Sequence, residues 1–166
     1  LSGIGEMSRI GSSVLNPFLG VRFKAAAVTT DLPLLPDKPI DFGLQKFCQL
    51  CKRCADECPS QAINKGDKTM YNGYEVWKLD VDRCAKFMTI NPNGAGCGHC
   101  IKVCPWNKPE GWAHDRVRWM IQHTPWLDKS LIKMDSLLGY GRVARENKWW
   151  LDLEEVDGIL QIPKSQ

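Results

Sequence analysis

Hydrophobic and polar positions divide the chain into stretches of different texture. Residues 1–39 carry short apolar blocks punctuated by Gly and Pro, as in "VLNPFLGVRFKAAAVTTDLPLLPDKP". Val21 to Thr30 reads as a strand, with a turn at Pro17 and turns and extended linker at Pro33, Pro36 and Pro39. In "YEVWKLDVDRC" apolar and polar residues alternate from Val76 to Val81 with one break, which predicts a short strand feeding Cys84. After Pro105 the chain turns aromatic and basic. Trp112, Val117, Trp119 and Met120 share one face of a helix that ends before Pro125. A second helix is expected from Leu127 to Leu138, stopped at Gly139. Tryptophans at this spacing read as core.

Composition narrows the class. The 166 residues are 43% apolar and 25% charged, normal for a globular protein. No run of ~18 apolar residues offers a membrane span, and no secretory or twin-arginine signal opens the chain. It begins on Leu1, and "LSGIGEMSRIG" reads like the interior of a domain, so a fragment of a longer protein is expected. The net charge of +3 is too small and too scattered to argue for nucleic acid.

The chemistry lies in eight cysteines. "FCQLCKRCADECPSQAI" places Cys48, Cys51, Cys54 and Cys58 as C-x2-C-x2-C-x3-C-P. Cys84 stands alone, and "GCGHCIKVCPWNKP" places Cys97, Cys100 and Cys104 as C-x2-C-x3-C-P. Cysteines this close in sequence make poor structural disulfides. Zinc ribbons separate their pairs by long intervals, whereas three cysteines here follow one another at intervals of three. The first run is the two-cluster bacterial ferredoxin signature, whose fourth cysteine ligates the other cluster.

That crossing rule assigns the thiolates. Cys48, Cys51, Cys54 and Cys104 hold a first 4Fe–4S cluster; Cys58, Cys97 and Cys100 hold a second. The second is one ligand short, and Cys84 is the cysteine left over. The spacer "AKFMTINPNGAG" between Cys84 and Cys97 is expected to loop out. "SQAI" is expected as a short helix-to-strand exit, and Pro59 and Pro105 fix the chain after each crossing cysteine. Two thiolate-ligated clusters at −2 each would turn the charge from +3 to about −1. With the cluster positions filled, His99, His114 and His123 are not expected as ligands.

The flanks narrow the choice further. "GIGEMSRIG", "TTDLPLLPDKPIDFGLQKFC", the long gap after Cys84 and "CGHCIKVCPWNKPEGWAHDRVRW" together resemble the C-terminal part of the corrinoid-dependent reductive dehalogenases. The resemblance implies an α+β fold: a bacterial-ferredoxin-like module over 40–109 with an insertion in its second motif. Residues 1–39 would be the tail of a nitroreductase-like corrinoid-binding domain, and 110–166 a helical and loop extension. The implied cofactors are two 4Fe–4S clusters and cobalamin. The implied reaction is removal of halide from an organohalide, such as a chlorinated ethene, with the clusters relaying electrons to cobalt.

On the same comparison the catalytic tyrosine lies upstream, since Tyr71, Tyr74 and Tyr140 stand in the wrong places. Arg9, in "GEMSR", is the catalytic candidate, placed to stabilise charge on the proton donor or the leaving halide. Implied partners are a membrane-anchor protein, an electron donor and a second copy in a homodimer. The implied location is the periplasm or the outer face of the cytoplasmic membrane, in organohalide respiration. Epoxyqueuosine reductase, a cobalamin-dependent relative acting on tRNA, shares much of the skeleton. It would call for a basic C-terminal extension, whereas this chain ends soon after acidic "LDLEEVD". A free-standing two-cluster electron carrier is the third reading, for which the flanks are long and aromatic.

Overall fold

The computed structural model describes residues 3–90, 97–140, 154–157 and 159–161. Short helices carry most of the fold, and three separate two-stranded antiparallel sheets punctuate them. β1 (Glu6–Met7) pairs with β2 (Val14–Leu15), Glu6 opposite Leu15. α1 (Leu44–Cys51) and α2 (Arg53–Asp56) follow. β3 (Thr69–Tyr71) and β4 (Tyr74–Val76) form a hairpin whose Asn72 and Gly73 both have positive φ, at 49° and 84°. That is the geometry Asn-Gly favours in a two-residue hairpin turn. α3 (Val81–Ile90) and α4 (His99–Lys102) carry cysteines of the later motif. α5 (Trp112–His123) and α6 (Asp128–Leu137) come next, followed by the β5–β6 hairpin (Glu154–Val156, Ile159–Gln161).

One core joins the N-terminal segment to the cysteine module. Ile10, Leu15 and Val21 pack with Leu44 and Phe47 of α1, Trp106, Ile121 of α5 and Leu131 of α6. Trp106 is fully buried, with ring centroids 5.2 Å from Phe42 and 6.0 Å from Phe47, and its indole N–H donates to the Pro17 carbonyl at 3.2 Å. The Glu6 carboxylate accepts from the Phe42 and Leu44 amides at 2.9 and 3.3 Å. An anion on the open amides of α1 satisfies donors the helix cannot, and so ties β1 to that helix. Gly11, at φ +81°, lies against the Trp77 backbone; a Cβ there would stand 2.3 Å from the Trp77 carbonyl oxygen.

Several expectations are corrected. Val21–Thr30 is not a strand: past Val21 its residues are mostly exposed, and no other segment pairs with it among the described residues. Alternation makes a strand only where the backbone finds a ladder. The strand expected from Val76 to Val81 ends where it was to begin, because Asp80 Oδ1 accepts from the Arg83 amide at 3.0 Å and starts α3. Hence Ala85–Ile90, expected to loop out, is helical, while 91–96 lies outside the described residues. "SQAI" is a turn and irregular chain, with Gln61 at φ 52°, rather than a helix-to-strand exit.

Both late helices form as expected, but the tryptophan face of α5 is not core. Trp112 is 86% exposed and Trp119 51%, while Arg118 and Ile121 are buried. Arg118 turns inward because its guanidinium donates to the buried Lys108 carbonyl and to Asp115. Among the described residues the buried tryptophans are Trp77 and Trp106, which lie outside any α-helix.

Candidate iron–sulfur centre

Helical spacing builds the first half of the site. Leu44, Phe47, Cys48 and Cys51 recur at i, i+3, i+4 and i+7, so α1 sends two thiols to the face its core residues bury. Lys52 then enters the left-handed region at φ 51° and breaks the run into α1 and α2. Gly98 repeats the device at φ 47°, between Cys97 and Cys100. Cys51-x2-Cys54 and Cys97-x2-Cys100 thus turn sharply at the same place, a pseudo-symmetry of the two motifs. Cys58 lies just beyond α2, Cys84 sits on α3, Cys100 on α4, and Cys104 precedes the 3₁₀ turn Pro105–Asn107.

The thiols gather into two adjoining sets. Burial pushes the Cys48 thiol up to about 12; the Arg9 backbone N–H opposes that rise, and Cys104 and Cys51 add to it. Cys54 is raised by burial and then by Cys104, Cys48 and Cys51. Cys104 itself is pushed up to about 12 by burial, with Cys51 adding. In the other set, burial raises Cys84, with Cys58 and Cys97 adding. Burial raises Cys100 to about 11, with Cys58, Cys97 and Cys84 contributing. Cys54 also feels Cys100, so the sets adjoin. The structure therefore brings Cys104 to the first motif, and Cys58 and Cys84 to Cys97 and Cys100.

These sets fit clusters chemically. All eight thiols are free and none is fully exposed. Buried thiols near 11–12 keep their protons at neutral pH, so loading releases protons and depends on a cationic core. Among the described residues no three His, Cys, Asp or Glu side chains stand close enough to share one metal ion. Hydrogen bonds from backbone amides oppose the effect of burial on the thiols: that of Arg53 lowers Cys51, that of Ile101 lowers Cys100, and those of Trp106 and Asn107 lower Cys104. Such bonds stabilise thiolate and tune cluster potential.

Arg9 is not where a substrate-facing group would be. It is 1% exposed, and its Nε donates to the Cys48 carbonyl at 2.8 Å. Its Nη1 donates to the carbonyls of Asn64 and Gly66, at 2.8 and 3.0 Å, and its Cζ lies 4.4 Å over the Trp77 ring. Arg9, expected to stabilise charge beside the halide, is thus buried with its donors committed to carbonyls around the first motif. His99 is buried beside the second set. His114 makes an edge contact with Tyr140, and His123 lies on the Trp119 ring, its Nδ1 2.8 Å from the Trp119 carbonyl oxygen.

Two further cations went unread in the sequence. Arg53, inside the first motif, pairs with Asp135 and donates to the Ser136 hydroxyl at 2.6 Å and the Tyr140 carbonyl at 2.9 Å. Lys108 stands 3.4 Å from Asp135 and holds down the Cys104 thiol. Their partners lie far along the chain, Arg53 and Asp135 being 82 positions apart, so no local signal marks them. Arg53→Ala should cost about 2–3 kcal/mol, because it removes the donor from several part-buried acceptors on and beyond α6 while Lys108 keeps Asp135 paired. Denaturant unfolding of the iron-loaded chain measures this. A loss under about 0.5 kcal/mol, the size of an exposed pair, would show that α6 docks without it.

Comparison with known proteins agrees with this geometry. A 4Fe–4S dicluster domain model matches residues 47–108, which contain all eight cysteines. A tetrachloroethene reductive dehalogenase of Sulfurospirillum multivorans is 39% identical over 156 residues, covering 90% of this chain and 30% of that protein. A solved reductive dehalogenase structure, one that suggests a mechanism for B12-dependent dehalogenation, aligns with a TM-score of 0.81 and 46% identity. It covers 98% of this chain and 23% of the other. An epoxyqueuosine reductase of Cyclobacterium marinum is 31% identical over 121 residues, covering 64% of this chain. The chain therefore spans between a quarter and a third of the length of its curated relatives.

Proposed function

We infer function from one premise: this chain belongs to the reductive dehalogenase family, as its C-terminal iron–sulfur part. Within a longer protein its work is to pass single electrons through two 4Fe–4S clusters to a corrinoid, where an organohalide such as a chlorinated ethene loses halide. The observation that carries this is the division of eight buried or half-buried thiols into two adjoining sets. Cys48, Cys51, Cys54 and Cys104 would hold the first cluster, and Cys58, Cys84, Cys97 and Cys100 the second. The corrinoid supplies the cleavage of the carbon–halogen bond. The chain's own residues exclude water from the sulfurs, direct amides at them and keep the two sets adjacent.

Residues 1–39 belong, on this reading, with an upstream corrinoid domain. Val28, Leu32, Leu34 and Leu35 support it, being 65–95% exposed along a segment that none of the described residues covers. Such a run of bare apolar side chains marks a contact surface. A membrane-anchor protein, an electron donor, a homodimer and a place outside the cytoplasmic membrane complete the proposal. No helix among the described residues is long and apolar enough to cross a membrane.

The test uses the longer protein that carries this chain, loaded with clusters and corrinoid and fed by a reduced low-potential dye. Halide release from a chlorinated ethene is the expected result, with none from the chain alone. A fully loaded protein that releases no halide from any organohalide, yet reduces epoxyqueuosine in tRNA, would overturn the reading. The smaller coverage of the epoxyqueuosine reductase match favours the first outcome.

A further inference from the structure

We propose that Arg9 sets the reduction potential of the first cluster: its buried guanidinium raises that potential and leaves the second cluster's unchanged. This rests on the two-cluster reading and deepens it. Arg9 reaches the Cys48 turn from 39 residues away and acts on it twice, its backbone N–H at the Cys48 sulfur and its Nε at the Cys48 carbonyl. The other side-chain partners are the carbonyls of Asn64 and Gly66, the Gln49 amide oxygen and the Trp77 face. None of these is an anion. Once the site is loaded, the negative groups that act on Arg9 are the sulfurs of Cys48, Cys54 and Cys51, with a smaller contribution from the exposed Asp67 carboxylate.

The charge is therefore solvated by dipoles but not cancelled by a paired carboxylate. Arg53 and Lys108 also face the first set, but they share the single carboxylate of Asp135, which offsets one of their two charges, whereas Arg9 has no carboxylate partner. A buried cation acts over a longer range than one in water. Reduction adds one electron to the cluster, and a fixed positive charge beside it favours the reduced form. None of the guanidinium's hydrogen-bond or ring partners belongs to Cys58, Cys84, Cys97 or Cys100.

The experiment titrates the full chain, loaded anaerobically with iron and sulfide, against dithionite and follows each cluster by electron paramagnetic resonance. Arg9→Gln should lower the equilibrium constant for reducing the first cluster about tenfold, ~59 mV for one electron. The second cluster should not move. Arg9→Lys keeps the charge and should stay within about threefold of wild type. A loaded Arg9→Gln chain with an unshifted first cluster, or with both clusters shifted equally, overturns the proposal. If Arg9→Gln does not load, Arg9→Lys decides, and a loaded Lys chain shifted the full tenfold overturns it as well. Failure of both variants to load makes Arg9 an architectural residue and overturns it too. A wild-type chain that binds no iron would instead sink the cluster reading beneath it.

Discussion

Cys104→Ser is expected to abolish the first cluster and leave the second standing, although Cys104 belongs to the second motif. The reason is where the chain places the sulfur. Pro105 and the 3₁₀ turn after it carry the Trp106 and Asn107 amides onto Cys104, whose thiol lies against Cys51, Cys48 and Cys54. Cys58→Ser and Cys84→Ser should do the reverse, since both thiols lie with Cys97 and Cys100. After anaerobic reconstitution, iron should fall from about eight to about four per chain in each variant, because each cubane holds four irons. Electron paramagnetic resonance separates the cases by which signal survives. A Cys104→Ser chain that keeps the first signal, or a Cys84→Ser chain that keeps both, would undo the assignment.

Trp106→Ala should cost about 3–5 kcal/mol, the range for removing a large aromatic from a packed core. The indole is wholly buried and touches three parts of the chain at once: Phe42 before α1, Phe47 within it, and the Pro17 carbonyl through its N–H. Its backbone also holds Cys104, so a collapse of the cavity reaches the first cluster. Denaturant unfolding of the loaded chain should show the loss, and the first cluster should become the more labile one. Trp106→Phe keeps most of the volume and gives up one hydrogen bond, for about 1–2 kcal/mol. A Trp106→Ala loss below about 1 kcal/mol would mean that the N-terminal segment does not depend on this anchor.

Some of the fold could be read directly, and some signals were present but unread. α5 and α6 follow from Pro125, Gly139 and the apolar spacing between them. Asn72-Gly73 is a strong hairpin signal, and the β3–β4 turn lay in plain view within "TMYNGYEV". Asp80, three residues before the Arg83 amide it accepts, is an ordinary helix start that alternation in Val76–Val81 concealed. Other features had no local signal at all. Nothing in "GEMSR" tells a substrate-facing arginine from one wrapped in carbonyls, because its acceptors come from residues 48, 64 and 66.

By itself the sequence determined the chemistry: eight thiols, their spacing and the helical period that puts Cys48 and Cys51 on one face. Those are local properties, set by 3.6 residues per turn and by the few turns that Pro, Gly and Lys52 impose. Tertiary structure decided which groups surround that chemistry. It buried Arg9 at Cys48, drew Arg53 and Lys108 to Asp135, and turned Trp112 outward while Arg118 went in. Burial and charge pairing depend on what lies across the core, where contacts join residues 39 to 89 positions apart. A side chain's hydrophobicity does not say which neighbour will face it; only the packed chain does.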